Sequence, residues 1–542
     1  MIRPLAAGLL AASLILSACT SMTPARPAAW AAPEVLVAPS SFNGVHGLAV
    51  DAKGRLLAGS VLGNSLWEVD RQTGAARVMV AGPEGQADDI AVGPKGELAW
   101  TNYLMGMIRY RESDAAPLRI LAKDLPGINS LDFDRRNGKL YASQVFMGDA
   151  LWEIDVSGTA PPRLIKKDMG GLNGFEVGPD GMIYGPLWFK GQVVKINPAN
   201  GEMAVINSEF KTPAAANLDG KGGLWVVDAK TGELSRVELA TGVKTMVKQL
   251  KPSLDNLAIA PDGTIYVSNM ADNSIESYNP ASGELRLLTG GKLAVPAGLK
   301  IEGDDLWVAD VFGFRRVNAK TGEVSDVFRM QASDLEYPFA VGLSASHFAL
   351  TSWFTGTVQL VDRRTLKTSA VLHGLKAPFD AIPMADGSVI YAEIATGSIS
   401  RASGAGFVDK KLIAQGLAGP VQMVLAKDGA LYVTEAAGKL TRVSLADGAK
   451  TTVAEGLALP EGLAQTPWGT FIVAESAAQR LVEIDPANGT RRTVADKLPI
   501  GLVGGPGMPP PYVVTGVAVG ADGTVYMSAD LNNAIYRIRP LR

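Results

Sequence analysis

Short apolar runs separated by turns recur along the whole chain. In "LDNLAIAPDG" (residues 254–263) an apolar run from Leu257 to Ala260 closes on Pro-Asp-Gly, and a second run, "TIYVSN" (264–269), follows. A run this short, bounded by turn residues, reads as a strand buried on both faces. Later runs, such as "SLWEVD" (65–70) and "RLVEID" (480–485), alternate like half-buried strands. Helix-period stretches are nearly absent. The four-strand unit repeats about every 42 residues, with blocks starting at His46, Asp88, Asn129, Asn173, Ala214, Asp255, Ala297, Pro338, Phe379, Val421, Glu461 and Thr515. Only the last interval is longer, because it holds "GLVGGPGMPPPY" (501–512). Four-stranded units at this period predict an all-β fold of β-propeller blades. Twelve blades exceed one ring, so two six-bladed propellers in tandem is the natural division, whereas a seven-plus-five split needs an unusually small ring. We expect the first ring over 34–290 and the second over 291–542. "EVLV" (34–37) has no blade of its own and could close a ring by completing a blade from the far end of the chain.

Composition changes this picture little. With 542 residues, 47% hydrophobic and 19% charged, the chain is globular and too long for one core. A net charge of −3 gives no reason to expect nucleic acid as a partner. The N-terminus departs from the repeat. Arg3 precedes "PLAAGLLAASLILSA" (4–18), too short to span a bilayer comfortably, and "LSAC" (16–19) follows. That ending resembles a bacterial lipobox. The resemblance implies a signal peptide over 1–18, lipidation of Cys19, and a cell-envelope protein held to a membrane by a lipid anchor. Thr20 after the cysteine favours the outer membrane, and residues 19–33 would be the lipidated Cys and an extended tether. Cys19 is the sole cysteine, so no disulfide forms within the chain.

The chemistry lies at the strand heads. In a propeller the first strand of each blade lines the central channel, and its first residue sits at the mouth. In the first six blocks these residues are His46, Asp88, Asn129, Asn173, Ala214 and Asp255; in the second six only Glu461 is ionisable. Two carboxylates and two amide oxygens converging on one axis suit a hard divalent cation, Ca²⁺ first, then Mg²⁺ or Mn²⁺. Three His and a single Cys leave Zn²⁺ last. Asp89 and Asn256, second in their strands, would stand as outer ligands or as supports behind them. The loops "NYLMGM", "VFMGD" and "PLWFKG" emerge on the same side, so Leu104, Met105, Phe146, Met147, Trp188 and Phe189 are expected to form an apolar rim for a substrate.

The motifs "NGFEVGPDGMIYG" (173–185), "DNLAIAPDGTIYVSN" (255–269) and "HGLAVDAKGRLLAG" (46–59) resemble those of the SMP-30/gluconolactonase and NHL-type propellers, and of paraoxonases. The resemblance implies a catalytic divalent metal held by Asp88, Asn129, Asn173 and Asp255, with His46 and Asp255 as catalytic groups. The activity implied is hydrolysis of a small lactone or ester. Two features depart from the pattern: Asp88 stands where Glu is usual, and the Ala214 blade separates Asn173 from Asp255. Streptogramin lyases, propellers of similar appearance that open a lactone by elimination, give an alternative. A non-catalytic envelope lipoprotein that binds a ligand gives another. The apolar heads of the second ring suit a structural role or a protein partner.

Overall fold

The computed structural model describes residues 24–541. The expected signal peptide over 1–18 and Cys19 lie outside the described residues. Twelve four-stranded antiparallel sheets, each a blade, account for nearly all regular structure; one two-stranded ribbon is added to them. Two short 3₁₀ turns, Ala405–Phe407 and Ser476–Ala478, are the only helical elements among the described residues.

The blades close into two rings of six. In the first ring the inner strands Val45–Val50, Ile90–Val92, Ile128–Asp134, Glu176–Val177, Pro213–Leu218 and Leu254–Ile259 pack each against the next, and Leu254–Ile259 packs back on Val45–Val50. The second ring runs in the same way from Pro296–Glu302 to Val517–Val519, which returns to Pro296–Glu302. Its last blade takes its outer strand from the start of the chain: Glu34–Val37 pairs with Ala534–Ile538, and Glu34 binds Arg537 and Arg539. Residues 34–37 therefore belong to the second ring and not to a first unit over 34–290. The first ring closes without strand exchange. Its seam is tied instead by Arg71 to Asp262 (2.5 Å) and by Arg286 to the Arg71 and Gln72 carbonyls.

The end of the expected tether is also docked. Ala29–Trp30 pairs with Pro540–Leu541, Arg26 binds Glu483 (2.9 Å), and Trp30 packs on Trp468. An aromatic and a guanidinium with partners of their own do not behave as spacer. Among the described residues no helix is long and apolar enough to cross a membrane.

The rings meet face against face at one side. One buried cluster spans both, joining Leu62 and Met270 of the first ring to Phe312, Phe314, Phe339 and Tyr512 of the second. Arg329 reaches across to Asp272 (2.7 Å), and Ser253 donates to the Met330 carbonyl (2.6 Å). Phe312 lies so close to Gly44 that a Cβ there would come within 2.2 Å of its ring, so only glycine admits this contact, at a φ of +72°.

Candidate active site

The strand heads of the first ring point inward for a local reason. Pairing between the first two strands of a blade slips at the head: between Val45 and Leu48, Ile128 and Ser130, Pro213 and Ala215, and Leu254 and Leu257. His46, Asn129, Ala214 and Asp255 fall in these bulges, where a side chain leaves the pleat and turns into the channel. Adjacent blades are stitched through the same positions. The Gly47 amide donates to the Asp88 carbonyl (2.6 Å), and the Thr101 hydroxyl donates to the Asn129 carbonyl (2.6 Å). A Cβ at Gly47 would meet that Asp88 carbonyl at 2.3 Å, so the glycine permits the close approach.

His46, Asp88, Asn129, Asn173 and Asp255 line a single cavity of about 390 Å³. The Asn129 amide donates to Asp88. The Ser130 hydroxyl lies 2.9 Å from Asn129 Oδ1 and 3.1 Å from Asn173 Oδ1. It has one proton to share between them, and Asn173 Oδ1 also accepts from the Gly174 amide (3.0 Å), so Asn129 Oδ1 keeps a lone pair free and Asn173 Oδ1 keeps one when Ser130 donates to Asn129. No Lys or Arg lines the cavity. Burial, then the charges of Asp255 and Asp89, push the Asp88 carboxyl well above its usual range. Burial brings Asp255 to about 7. His46 Nδ1 lies 2.9 Å from the Gly44 carbonyl, which can only accept, so Nδ1 carries the proton and Nε2 presents a lone pair. Burial pushes this imidazole down to about 4, and it is neutral at pH 7.

Two groups of expected residues sit elsewhere. Asp89 and Asn256 do not face this cavity. The Asn256 amide donates to Asp89 Oδ1 (3.0 Å), and Asp89 also accepts from the Ile90 and Leu131 amides. They form a tie inside the channel, between its mouth and a second cavity of about 470 Å³ at its far end. Asp255 and Asn256 both fall in the bulge between Leu254 and Leu257, and one lines the mouth cavity while the other lines the far one. Of the rim, Leu104, Phe146, Met147 and Trp188 line the cavity. Met105 instead lies against Gly505 of the long insertion, and Phe189 stands 60% exposed, edge-on to Phe146.

The opposite wall comes from the second ring: Phe312, Tyr337, Phe339, Trp353 and Phe354. Sequence reading missed them, although "VFGF" (311–314) and "SWFTG" (352–356) occupy the same inter-strand loops that supplied the rim of the first ring. The same loop criterion, applied to both rings, finds Phe312, Trp353 and Phe354, whereas Tyr337 and Phe339 lie in the connection between two blades, ahead of Ala340–Leu343. One mouth position also shifts. The Gly298 amide donates to the Phe339 carbonyl as Gly47 does to Asp88, so Phe339, not Pro338, heads its blade.

Among the described residues no group of three or more His, Cys, Asp or Glu is arranged to hold a metal. The oxygen donors at the mouth are two carboxylates and two amides. No family model matches the chain, and no curated protein does. Among solved structures, virginiamycin B lyase from Staphylococcus aureus aligns at 16% identity over 60% of this chain and 94% of its own, with a TM-score of 0.27. The extracellular domain of a B. thetaiotaomicron protein described as a one-component system aligns at 12% identity over 94% of this chain and 83% of its own, with a TM-score of 0.35. Likenesses at these scores carry no functional weight.

Proposed function

We propose that the cavity between the rings is the active site of a divalent-cation-dependent hydrolase acting on a small lactone or ester with an apolar body. One observation carries this reading: two carboxylates with no Lys or Arg beside them among the described residues form the floor of an open cavity whose walls are largely apolar. Uncompensated buried carboxylates are costly, and a cation is the usual remedy. The donor set fits a hard cation. Asp88, Asp255 and the amide oxygens of Asn129 and Asn173 would hold it, Ca²⁺ before Mg²⁺ or Mn²⁺. When bound, such an ion polarises a carbonyl and stabilises the oxyanion that develops there. Asp255 makes no hydrogen bond within the described chain and would take the proton of the attacking water; His46 Nε2 would orient that water. About 390 Å³ admits a small molecule of modest size. In this reading the protein is lipid-anchored through Cys19 in a bacterial envelope.

The test is metal analysis of the purified protein, then a lactone and ester panel with and without EDTA. Turnover should vanish with EDTA and return with Ca²⁺. Asp255→Ala should lose both turnover and tight cation binding while staying folded. Turnover that ignores EDTA and survives Asp255→Ala would sink the proposal. Products carrying a new double bond in place of an alcohol and an acid would transfer the site to elimination chemistry.

A further inference from the structure

The reading above employs first-ring groups as its chemical machinery and leaves the second-ring wall without a role. Tyr337 stands out in that wall. It is a bulky non-glycine residue at a φ of +50°, a backbone region that aromatic residues rarely occupy and that persists only where the surroundings impose it. Its ring is held edge-on by Phe312 (6.1 Å) and Phe354 (5.5 Å). The loop carrying it is pinned by the buried amide of Gln359, which donates to the Asp334 carbonyl (2.9 Å) and accepts from the Glu336 amide (3.3 Å). The Tyr337 side chain thus enters, from the second ring, the cavity that Asp88 and Asp255 floor. Its hydroxyl makes no hydrogen bond among the described residues.

We propose that Tyr337 is a catalytic hydrogen-bond donor to the substrate oxygen above Asp88 and Asp255, and that Phe354 beside it selects substrates bearing a flat or branched apolar substituent. The role in turnover rests on the hydrolase reading; the composite, two-ring binding site does not. A phenol keeps its proton at neutral pH and can donate it in a hydrogen bond. In hydrolysis, water adds to the acyl carbon, the bond from that carbon to the leaving oxygen breaks, and the leaving oxygen takes the proton that Asp255 removed from water. Tyr337 keeps its own proton throughout and supplies a hydrogen bond that strengthens as charge builds on the carbonyl oxygen. The two rings divide the work: the first holds the polar end of the ligand, the second its apolar end.

Two variants test this, each read by binding as well as by rate. Tyr337→Phe keeps the ring and its packing and deletes only the hydroxyl. Phe354→Ala removes a side chain that is 36% exposed, which the fold tolerates. Trp188 and Trp353 line the cavity, so ligand binding is followed by tryptophan fluorescence in protein treated with EDTA. The probes are cyclic ketones with and without a phenyl substituent, and the matching cycloalkanes. The wild type should prefer a ketone to its cycloalkane, and Tyr337→Phe should abolish that preference. Phe354→Ala should weaken the phenyl-bearing ketone about tenfold and leave the unsubstituted ketone unchanged. If the wild type hydrolyses a lactone, Tyr337→Phe should lower kcat about 10²-fold, raise KM by no more than the factor by which it weakens ketone binding, and leave cation affinity unchanged. A wild type with no turnover but these binding preferences would defeat the hydrolase reading and support the two-ring site. A ketone preference retained in Tyr337→Phe, or phenyl-ketone binding unchanged in Phe354→Ala, would overturn the inference.

Discussion

The two rings share one plan and differ at their mouths. In the first ring the heads of the inner strands are His46, Asp88, Asn129, Asn173 and Asp255, which line an open cavity. In the second ring Phe379 and Val421 fill the same positions and, with Val514, pack into an apolar plug backed by Trp353 and Ile394. Both rings bulge there: the second slips between Pro378 and Asp380, Pro420 and Met423, and Pro460 and Leu463. The bulge is thus a property of the blade, and the residue in it is free to vary. Where it is apolar, burial stabilises the ring. Where it is acidic, the ring gives up that stabilisation and, in the proposed reading, gains a site for chemistry.

The sharpest way to break this contrast is to make the first mouth resemble the second. Asp255→Leu should reduce turnover by about 10³-fold or more, as the loss of a group acting on the reacting atoms does. It should also raise the melting temperature in EDTA, because an uncompensated buried carboxylate is replaced by an apolar group. Activity assays and thermal melts on one preparation check both signs. Loss of activity together with loss of stability would make Asp255 a structural residue. The converse damage to the second mouth is Phe379→Ala. This side chain is fully buried, and its truncation should cost about 3–5 kcal/mol in urea denaturation. Cation affinity at the first mouth should not change. A fall in that affinity would mean that the plug shapes the site as well as the ring.

Much of this contrast was legible in the sequence, and the reason is repetition. Twelve blocks with two short apolar runs, all but the Pro338 block with a turn glycine between them, define the blades. A lone strand at 34–37 has no other use than to complete one of them, as it does with Ala534–Ile538. The heads were legible because polar residues such as Asp255 open strands otherwise filled by apolar ones. What stayed hidden depends on partners far away in the chain. Arg26 finds Glu483, 457 residues on, so the stretch read as tether is docked. Phe312 and Trp353 look like ordinary blade packing until the rings face each other. Tyr337 looks like a loop residue before a proline. No local pattern encodes the angle at which two rings meet, and half of the candidate site depends on it.

Glu461 offers a finer test, because it is the one ionisable head of the second mouth. It is 2% exposed and accepts from the Thr515 amide (2.6 Å). Burial, then repulsion from Asp530, raises its carboxyl from an ordinary 4.5 to about 8. The folded chain therefore holds this proton up to pH 8, whereas the unfolded chain releases it near 4.5. The stability associated with it is complete below pH 4.5 and is lost as pH rises to 8. Glu461→Gln should match the wild type at pH 4.5 and melt higher at pH 8.5. An equal difference at both pH values would assign the effect to packing instead of charge.

The smallest expected effect lies at the seam between the mouths. Tyr512 ends the insertion at 501–512; its backbone carbonyl accepts from Trp353 Nε1 (3.1 Å), and its ring belongs to the cluster that joins the two rings. Its hydroxyl is buried without a hydrogen-bond partner among the described residues. An unmatched buried hydroxyl costs free energy that the ring around it does not recover. Tyr512→Phe keeps the ring and the carbonyl contact and removes only the orphan group. It should stabilise the protein by about 1 kcal/mol, read as a shift of the urea midpoint at constant slope. Since the seam also holds the wall that carries Trp353, ketone binding in the cavity should stay unchanged in this variant. Destabilisation by Tyr512→Phe would mean that the hydroxyl has a partner after all, such as a water molecule between the rings, and that the two mouths are coupled through a polar seam and not an apolar one.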